Sequence, residues 1–150
     1  KEFSRISSLK DGLKKMSKSE VSDLSRINLT DEKDQIINKI RKAKTDPLPM
    51  PSNVKDLDKR PEAKNLLGIY TSLNESSLEK SIEEFSGKNF SDFKEALSQV
   101  LVDKITPISI EIKKLLNEKD YLDDILLDGC KKANYISSKK IKKIHEILGF

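Results

Sequence analysis

The sequence predicts a mainly α-helical protein, in which a helical bundle follows one short strand. Charged residues make up 36% of the 150 residues and aromatic residues only 5%, with no Trp. This composition favours helices with wide solvated faces, because β-sandwiches need more aromatic and β-branched residues. From Thr30 onward, apolar residues also recur at helical spacing. The length corresponds to about one domain, large enough to bury a core of its own.

The strand is predicted over residues 3–9, where apolar and polar residues alternate before the turn dipeptide Asp11-Gly12. A single strand leaves both of its edges unpaired. We therefore expect its partners to lie upstream of Lys1 or in another molecule, and the chain near Ile6 to be poorly ordered without them.

The first helix is predicted from Thr30, a suitable N-cap residue, to about residue 44. Carboxylates in its first turn favour the positive end of the helix dipole, and Ile36, Ile40 and Ala43 form one apolar stripe.

Two shorter helices should follow an extended, proline-containing connection over residues 45–60. Pro61 suits the first turn of one helix. Ser76 and Glu79 have capping-box spacing for the other, which Gly87 ends. The residues predicted to face inward are Ala63, Leu66, Leu67, Tyr70, Leu73, Leu78, Ile82 and Phe85.

The longest helical pattern covers residues 91–117, and an apolar stripe continues over residues 120–148. Pro107 lies inside the first of these patterns, so we expect a kink or a break near residues 104–106.

A polar segment after the Asp11-Gly12 turn, residues 15–19, reads K-M-S-K-S and is predicted to be a loop. Lysine ammonium groups on flexible stems can follow phosphates that move during a reaction. When pyrophosphate leaves, cations held beside it stabilise the charge that builds on its oxygens. In a chain with 29 basic residues, such a segment could also be an ordinary solvated turn.

The sequence contains one cysteine and one histidine, which limits the disulfides and metal sites that it can form. Cys130 can form no intrachain disulfide, which fits a reducing compartment, and we expect its thiol to be buried. His145 is expected at the surface, and one histidine cannot build a histidine metal cluster. We also expect a soluble, non-secreted protein, because no apolar run could span a bilayer and no leader pattern begins the sequence.

Two basic groups are candidate phosphate contacts, although both could equally be solvated helix faces that complement the helix dipole. The group near the C-terminus consists of Lys131, Lys132, Lys139, Lys140, Lys142 and Lys143. The group at the end of the first predicted helix consists of Lys39, Arg41, Lys42 and Lys44.

The chain resembles the C-terminal portion of the bacterial-type tryptophanyl-tRNA synthetases, which are class I aminoacyl-tRNA synthetases. The K-M-S-K-S pentapeptide resembles the class I signature loop, and the surrounding stretches point to tryptophan. The resemblance covers essentially the whole chain and is carried by R-I-S-S at 5–8, K-K-M-S-K-S-E at 14–20, T-D-P at 45–47, R-P-E-A at 60–63, N-L-L-G-I-Y at 65–70, G-K at 87–88, D-G at 128–129 and the terminal G-F.

The resemblance implies that Lys15 and Lys18 are catalytic and contact the ATP phosphates. It also implies that Met16, Ser17 and Ser19 shape the loop around the nucleotide. Ile6, on the preceding strand, should border the adenosine site.

The same resemblance implies a division into residues 1–27, the C-terminal end of the catalytic nucleotide-binding domain, and residues 28–150, a helical tRNA-binding domain. The last helix would pack back on the catalytic domain. Family members are cytoplasmic homodimers that use ATP, Mg²⁺, L-tryptophan and tRNA(Trp). Because the nucleotide-fold half would lie upstream of Lys1, we expect these residues alone to form no tryptophanyl-adenylate.

Two alternatives remain open at this stage. The chain could be a stand-alone helical module that binds RNA or protein, or a tyrosine-specific relative whose amino acid pocket lies outside these residues.

Overall fold

The computed structural model describes residues 5–149. They belong to two compact units, Lys1–Ile110 and Glu111–Phe150. The fold is mainly α-helical, as predicted, and it also contains a two-stranded sheet. The strands and α-helices are β1 (Ser7–Ser8), β2 (Asp11–Lys15), α1 (Lys33–Arg41), α2 (Pro61–Leu73), α3 (Leu78–Phe85), α4 (Phe90–Asn117) and α5 (Lys119–Leu148), with short 3₁₀ helices over Asp23–Ser25 and Val54–Lys59.

The prediction of a lone N-terminal strand was wrong. β1 pairs antiparallel with β2, and Asp11, taken as the end of the strand, instead begins its partner. Leu9 and Lys10 form the turn between the two strands, and the Asp11 carboxylate accepts the Leu13 N–H at 3.1 Å at the start of β2. Phe3 and Ser4 of the predicted strand lie outside the described residues.

A side chain of α2 covers the other edge of β1. The Asn65 amide accepts the Ser7 N–H at 2.8 Å and donates to the Ser7 carbonyl at 2.9 Å. This paired bonding satisfies both backbone groups of Ser7, much as a further strand would. The hairpin therefore needs no second molecule at this position.

α1 begins later than predicted, with Glu32 and not Thr30 as its N-cap. Glu32 and Gln35 form a capping box in which the Glu32 N–H donates to the Gln35 side chain at 2.8 Å. The predicted apolar stripe is confirmed, because Ile36, Ile40 and Ala43 are all buried.

The connection between α1 and α2 is not wholly extended as predicted, because it contains the 3₁₀ helix Val54–Lys59. Asn53 caps this helix by accepting the Asp56 N–H at 3.0 Å. Pro61 begins α2, as predicted.

The cap of α3 is one residue later than predicted. Ser77, not Ser76, accepts the Lys80 N–H at 3.3 Å. Gly87 lies just beyond α3 with φ of 71°, the left-handed conformation that favours glycine at a helix end.

The core of the first unit lies where α2, α3 and α4 supply buried apolar residues. Tyr70, Phe85 and Phe93 form an edge-to-face aromatic cluster, with ring centroids 4.9 to 5.8 Å apart. The predicted inward residues of α2 and α3 are all buried except Leu73, which is partly buried against the same core.

Helix α4 continues through Pro107, so of the kink or break predicted near residues 104–106, a break does not occur. No residue of α5 is buried, although its apolar residues keep helical spacing. Cys130 is exposed, so the prediction of a buried thiol was wrong: it lies on a helix that buries none of its side chains. His145 is exposed, as predicted. Within residues 5–149, no helix is both long and apolar enough to cross a membrane.

Candidate nucleotide-binding loop

The K-M-S-K-S segment was predicted to be a loop, but its first residue lies inside the sheet. Lys15 is the last residue of β2, opposite Ser7. The Met16 N–H donates to the Ile6 carbonyl at 3.1 Å, and the Met16 side chain packs against the core. The loop itself is therefore shorter than the motif, and its upstream end is fixed by the hairpin.

Two serine hydroxyl groups organise the turn that carries Lys18. Ser17 Oγ lies 2.9 Å from Ser19 Oγ and accepts the Ser19 N–H at 3.3 Å. This local bonding is typical of a serine turn and holds the backbone on both sides of Lys18.

Lys15 and Lys18 are both exposed, and neither forms an ion pair or a side-chain hydrogen bond with any of residues 5–149. Lys14, in contrast, lies 3.5 Å from the Asp11 carboxylate. The two motif lysines thus keep their charges available for an anionic group outside the described residues.

Ile6 lies beside the motif through its hydrogen bond with Met16, and half of its side chain is exposed. It lines a cavity of about 390 Å³ between the hairpin and α2, together with Gly12, Asn65 and Ile69. Ile6 lies just before β1 and not on a strand, and its hydrogen bond with Met16 brings it to the same region of the first unit as the motif.

Gly12 permits a close approach of β2 to the start of α2. A Cβ atom on Gly12 would lie 2.6 Å from the Pro61 carbonyl carbon and 2.7 Å from the Glu62 nitrogen. Only glycine fits this contact without a shift of one backbone against the other.

A buried ion cluster, which sequence analysis missed, lies on the downstream side of the loop. Lys39 of α1 is 3% exposed, and its Nζ lies 2.6 Å from Asp31 and 2.7 Å from Asp23. Arg26 pairs with Asp23 at 3.1 Å and donates to the Glu20 carbonyl at 2.9 Å. Lys39 had been grouped with possible phosphate contacts, and its burial excludes that role.

Hydrogen bonds stabilise the charged form of Asp23. The bond from Lys39, and after it the bond from the Asn28 amide, hold the pKa of the Asp23 carboxyl below its usual value. No sequence signal marked this cluster, because acidic residues before a helix and lysines within it usually remain solvated.

The remaining candidate phosphate contacts differ in whether their charged groups already have a partner within the chain. Lys44 pairs with Glu62 at 2.8 Å, and Lys132 pairs with Asp128 at 2.7 Å. Lys139 donates to the Tyr135 hydroxyl at 2.6 Å. Within the described chain, the C-terminal lysines that remain exposed without such a contact are Lys131, Lys140, Lys142 and Lys143.

Comparison with known proteins identifies the family. The model of the family described as tRNA synthetases class I (W and Y) matches residues 3–105, which include the hairpin, the motif and α1 to α3. The chain belongs to this family. The ion cluster and the aromatic core described above both lie within the matched region.

The similar curated proteins are named tryptophan-tRNA ligases. One from Mesorhizobium japonicum is 50% identical over 97% of the chain, which covers 41% of that protein. One from Rickettsia felis is 49% identical, again over 97% of the chain and 44% of the relative. The chain thus spans less than half the length of these relatives.

A solved structure gives the same similarity in three dimensions. The tryptophanyl-tRNA synthetase from Mycoplasma pneumoniae is 30% identical and matches with a TM-score of 0.61, over 73% of this chain and 35% of that one. The prediction of the family and of a mainly α-helical fold is confirmed.

Proposed function

We propose that this chain is the C-terminal part of a tryptophan-tRNA ligase, which activates tryptophan with ATP and transfers it to tRNA(Trp). In this reaction, Lys15 and Lys18 stabilise the negative charge that develops on pyrophosphate as it leaves. The proposal rests on the family membership and on relatives of that name at about half sequence identity.

The observation that carries the proposal is the pair of exposed lysines on an anchored turn. Among residues 5–149, no carboxylate neutralises Lys15 or Lys18. Both sides of the turn are held, by Met16 on the core and by Arg26 on the Glu20 carbonyl. Because the backbone is already held, less backbone freedom is lost when the two lysines contact phosphates.

The other assignments follow from the same proposal. Ile6 borders the adenosine, and Met16, Ser17 and Ser19 shape the loop around the nucleotide. Residues 1–27 complete the catalytic domain and residues 28–150 bind tRNA(Trp), with the last helix against the catalytic domain. The enzyme acts in the cytoplasm as a homodimer.

Magnesium belongs to the proposed reaction as a partner of ATP. The described part of the chain contains no group of three or more His, Cys, Asp or Glu side chains that could hold a metal ion. We therefore assign no residue of this chain to Mg²⁺.

The test compares two double variants of the full-length enzyme in tryptophan-dependent pyrophosphate exchange. Lys15→Ala with Lys18→Ala should lower kcat at least 100-fold and leave tRNA affinity within about twofold. The matched control, Lys10→Ala with Lys14→Ala, removes the same charge from the hairpin that leads into the motif and should retain wild-type kcat.

Each alternative predicts a different result. A stand-alone binding module would give no exchange with either amino acid and would bind RNA with an affinity unchanged by the motif variant. A tyrosine-specific relative would exchange with tyrosine in place of tryptophan. Exchange by the purified 150-residue chain alone would contradict the assignment of the remaining active site to upstream residues.

A further inference from the structure

We propose that the ion cluster of Lys39, Asp31, Asp23 and Arg26 positions the signature loop, so that Arg26 and Asp23 act on adenylation through Lys18. This inference rests on the proposed function and adds positioning residues that lie outside the motif. None of them touches substrate; they act through the backbone that follows the loop.

The cluster begins with a buried ammonium group. Lys39 is 3% exposed, and the side chain of Asp31 is 5% exposed, so each needs the other's charge. Asp31 alone would neutralise Lys39. The second carboxylate, Asp23, is 54% exposed, and its contact with Lys39 therefore ties the post-loop segment to α1.

Asp23 in turn orients the residue that reaches the loop. Arg26 pairs with Asp23 at 3.1 Å, and its Nε donates to the Asn28 side chain at 3.1 Å. With two sides of its guanidinium fixed, Arg26 presents Nη1 to the Glu20 carbonyl at 2.9 Å. Glu20 is the first residue after the motif.

The hydrogen bond from Arg26 to the Glu20 carbonyl, called the anchor below, is not supplemented by a buried apolar side chain of the loop. None of residues 17–22 is buried, and Val21 is fully exposed. Beyond Glu20, the Ser22 carbonyl accepts the Ser25 hydroxyl at 2.7 Å, and the Ser25 carbonyl in turn accepts the Leu9 N–H at 2.8 Å. The Arg26 hydrogen bond therefore limits how far the turn that carries Lys18 can move.

The expected consequence is a loss of rate and not of substrate binding. If the anchor is released, the Lys18 ammonium samples more positions, and fewer of them stabilise the leaving pyrophosphate. Under the proposed function the loop contacts ATP and not tryptophan, so tryptophan binding should not depend on the loop charge. Variants of the anchor should therefore lower kcat and leave KM for tryptophan unchanged.

The experiment measures tryptophan-dependent pyrophosphate exchange by the full-length enzyme carrying Asp23→Ala. We expect kcat to fall about tenfold, with the KM for tryptophan within twofold of wild type. Because Asp23 is half exposed and Asp31 remains beside Lys39, the variant should fold. Asp128→Ala is the matched control: it removes one exposed, lysine-paired carboxylate and should leave kcat unchanged.

Arg26→Lys provides the second variant. It keeps a cation for Asp23 but cannot pair with it and hold the Glu20 carbonyl through one planar group. We expect a loss of kcat similar to that of Asp23→Ala. Retention of wild-type kcat by both variants would overturn the inference.

A double-mutant cycle tests whether the anchor acts through Lys18. In a Lys18→Ala background, Asp23→Ala should lower kcat less than twofold further, because the group that it positions is gone. A full tenfold additional loss would overturn the inference and assign Asp23 a separate structural role. Absence of exchange in the wild-type enzyme would instead refute the proposed function, so the two failures are distinguishable.

Discussion

Replacement of Gly12 by alanine should strongly destabilise the first unit. The added Cβ would lie 2.6 Å from the Pro61 carbonyl carbon, 2.7 Å from the Glu62 nitrogen and 2.8 Å from the Pro61 carbonyl oxygen. All three are backbone atoms at the first turn of α2. No flexible side chain can move away to relieve the overlap, so the hairpin or the helix must shift.

The expected cost follows from this geometry. Overpacking usually costs about 1–3 kcal/mol. We expect the upper end here, because the overlap is between the backbone of β2 and the backbone of α2, and neither can rotate away as a side chain could. We therefore expect Gly12→Ala to lower the free energy of unfolding by ~3 kcal/mol. Since 1.4 kcal/mol is a factor of ten, this corresponds to about a hundredfold change in an opening equilibrium.

Native-state hydrogen exchange measures this quantity within the unit concerned. The amides of Leu66 and Leu67 lie in α2, and both side chains belong to the buried core. Their protection factors should fall about a hundredfold in Gly12→Ala. Protection within threefold of wild type would refute the inferred close approach of β2 to α2.

Gly129→Ala is the matched control, because the same substitution meets no atom within 4 Å there. Gly129 lies inside α5, where alanine has the higher helix propensity by about 1 kcal/mol. This variant should leave the α2 amides unchanged and slow exchange within α5.

Three further predictions concern the core, an ion pair and the exposed thiol. Phe93→Ala should cost about 3–5 kcal/mol in urea unfolding, because the ring is fully buried against two aromatic rings. Partial burial would raise the pKa of Asp46, but hydrogen bonds from Arg60 at 2.7 and 2.9 Å hold this pKa below its usual value. The ion pair therefore stabilises the folded chain at neutral pH, and this contribution is lost as the pH falls through the lowered pKa. Asp46→Asn should therefore lower Tm at pH 7 and much less at pH 3. Cys130 should react with a thiol reagent in the native chain as fast as in urea; slow native labelling would contradict its exposure.

The helices and their inward faces could be predicted because apolar spacing reports them directly. Ile36, Ile40 and Ala43 are buried as their spacing indicated, even though the cap of α1 moved from Thr30 to Glu32. Caps shift by a residue or two because neighbouring polar side chains compete for the same backbone N–H groups.

The hairpin and α5 show two limits of sequence reasoning. Asp11-Gly12 has the composition of a turn, yet it begins β2, because the glycine is needed for the approach to α2 and not only for a bend. In α5, the apolar residues keep helical spacing, but spacing carries no information about what covers a face, and none of these residues is buried. The expectation of a buried Cys130 failed for this reason.

Lysines of similar appearance in the sequence have different roles in the structure, and these roles follow from their partners. Lys39 is neutralised by two carboxylates, and Lys94 donates to the Arg41 and Ala43 carbonyls at 3.1 and 2.7 Å, where burial lowers its pKa. Both ammonium groups use their charge inside the first unit, one in an ion cluster and one at the C-terminal end of α1.

The absence of such partners at the two motif lysines, within the described residues, explains why the motif suits a polyanionic ligand. Lys15 and Lys18 have no such partner among residues 5–149, whereas the backbone on either side of their turn is held by Met16 and Arg26. A free cation on a mobile segment would lose much of its attraction for phosphate to ordering entropy. A backbone that is already held avoids the backbone part of that cost, so the ion cluster and the motif are expected to act together on one ligand.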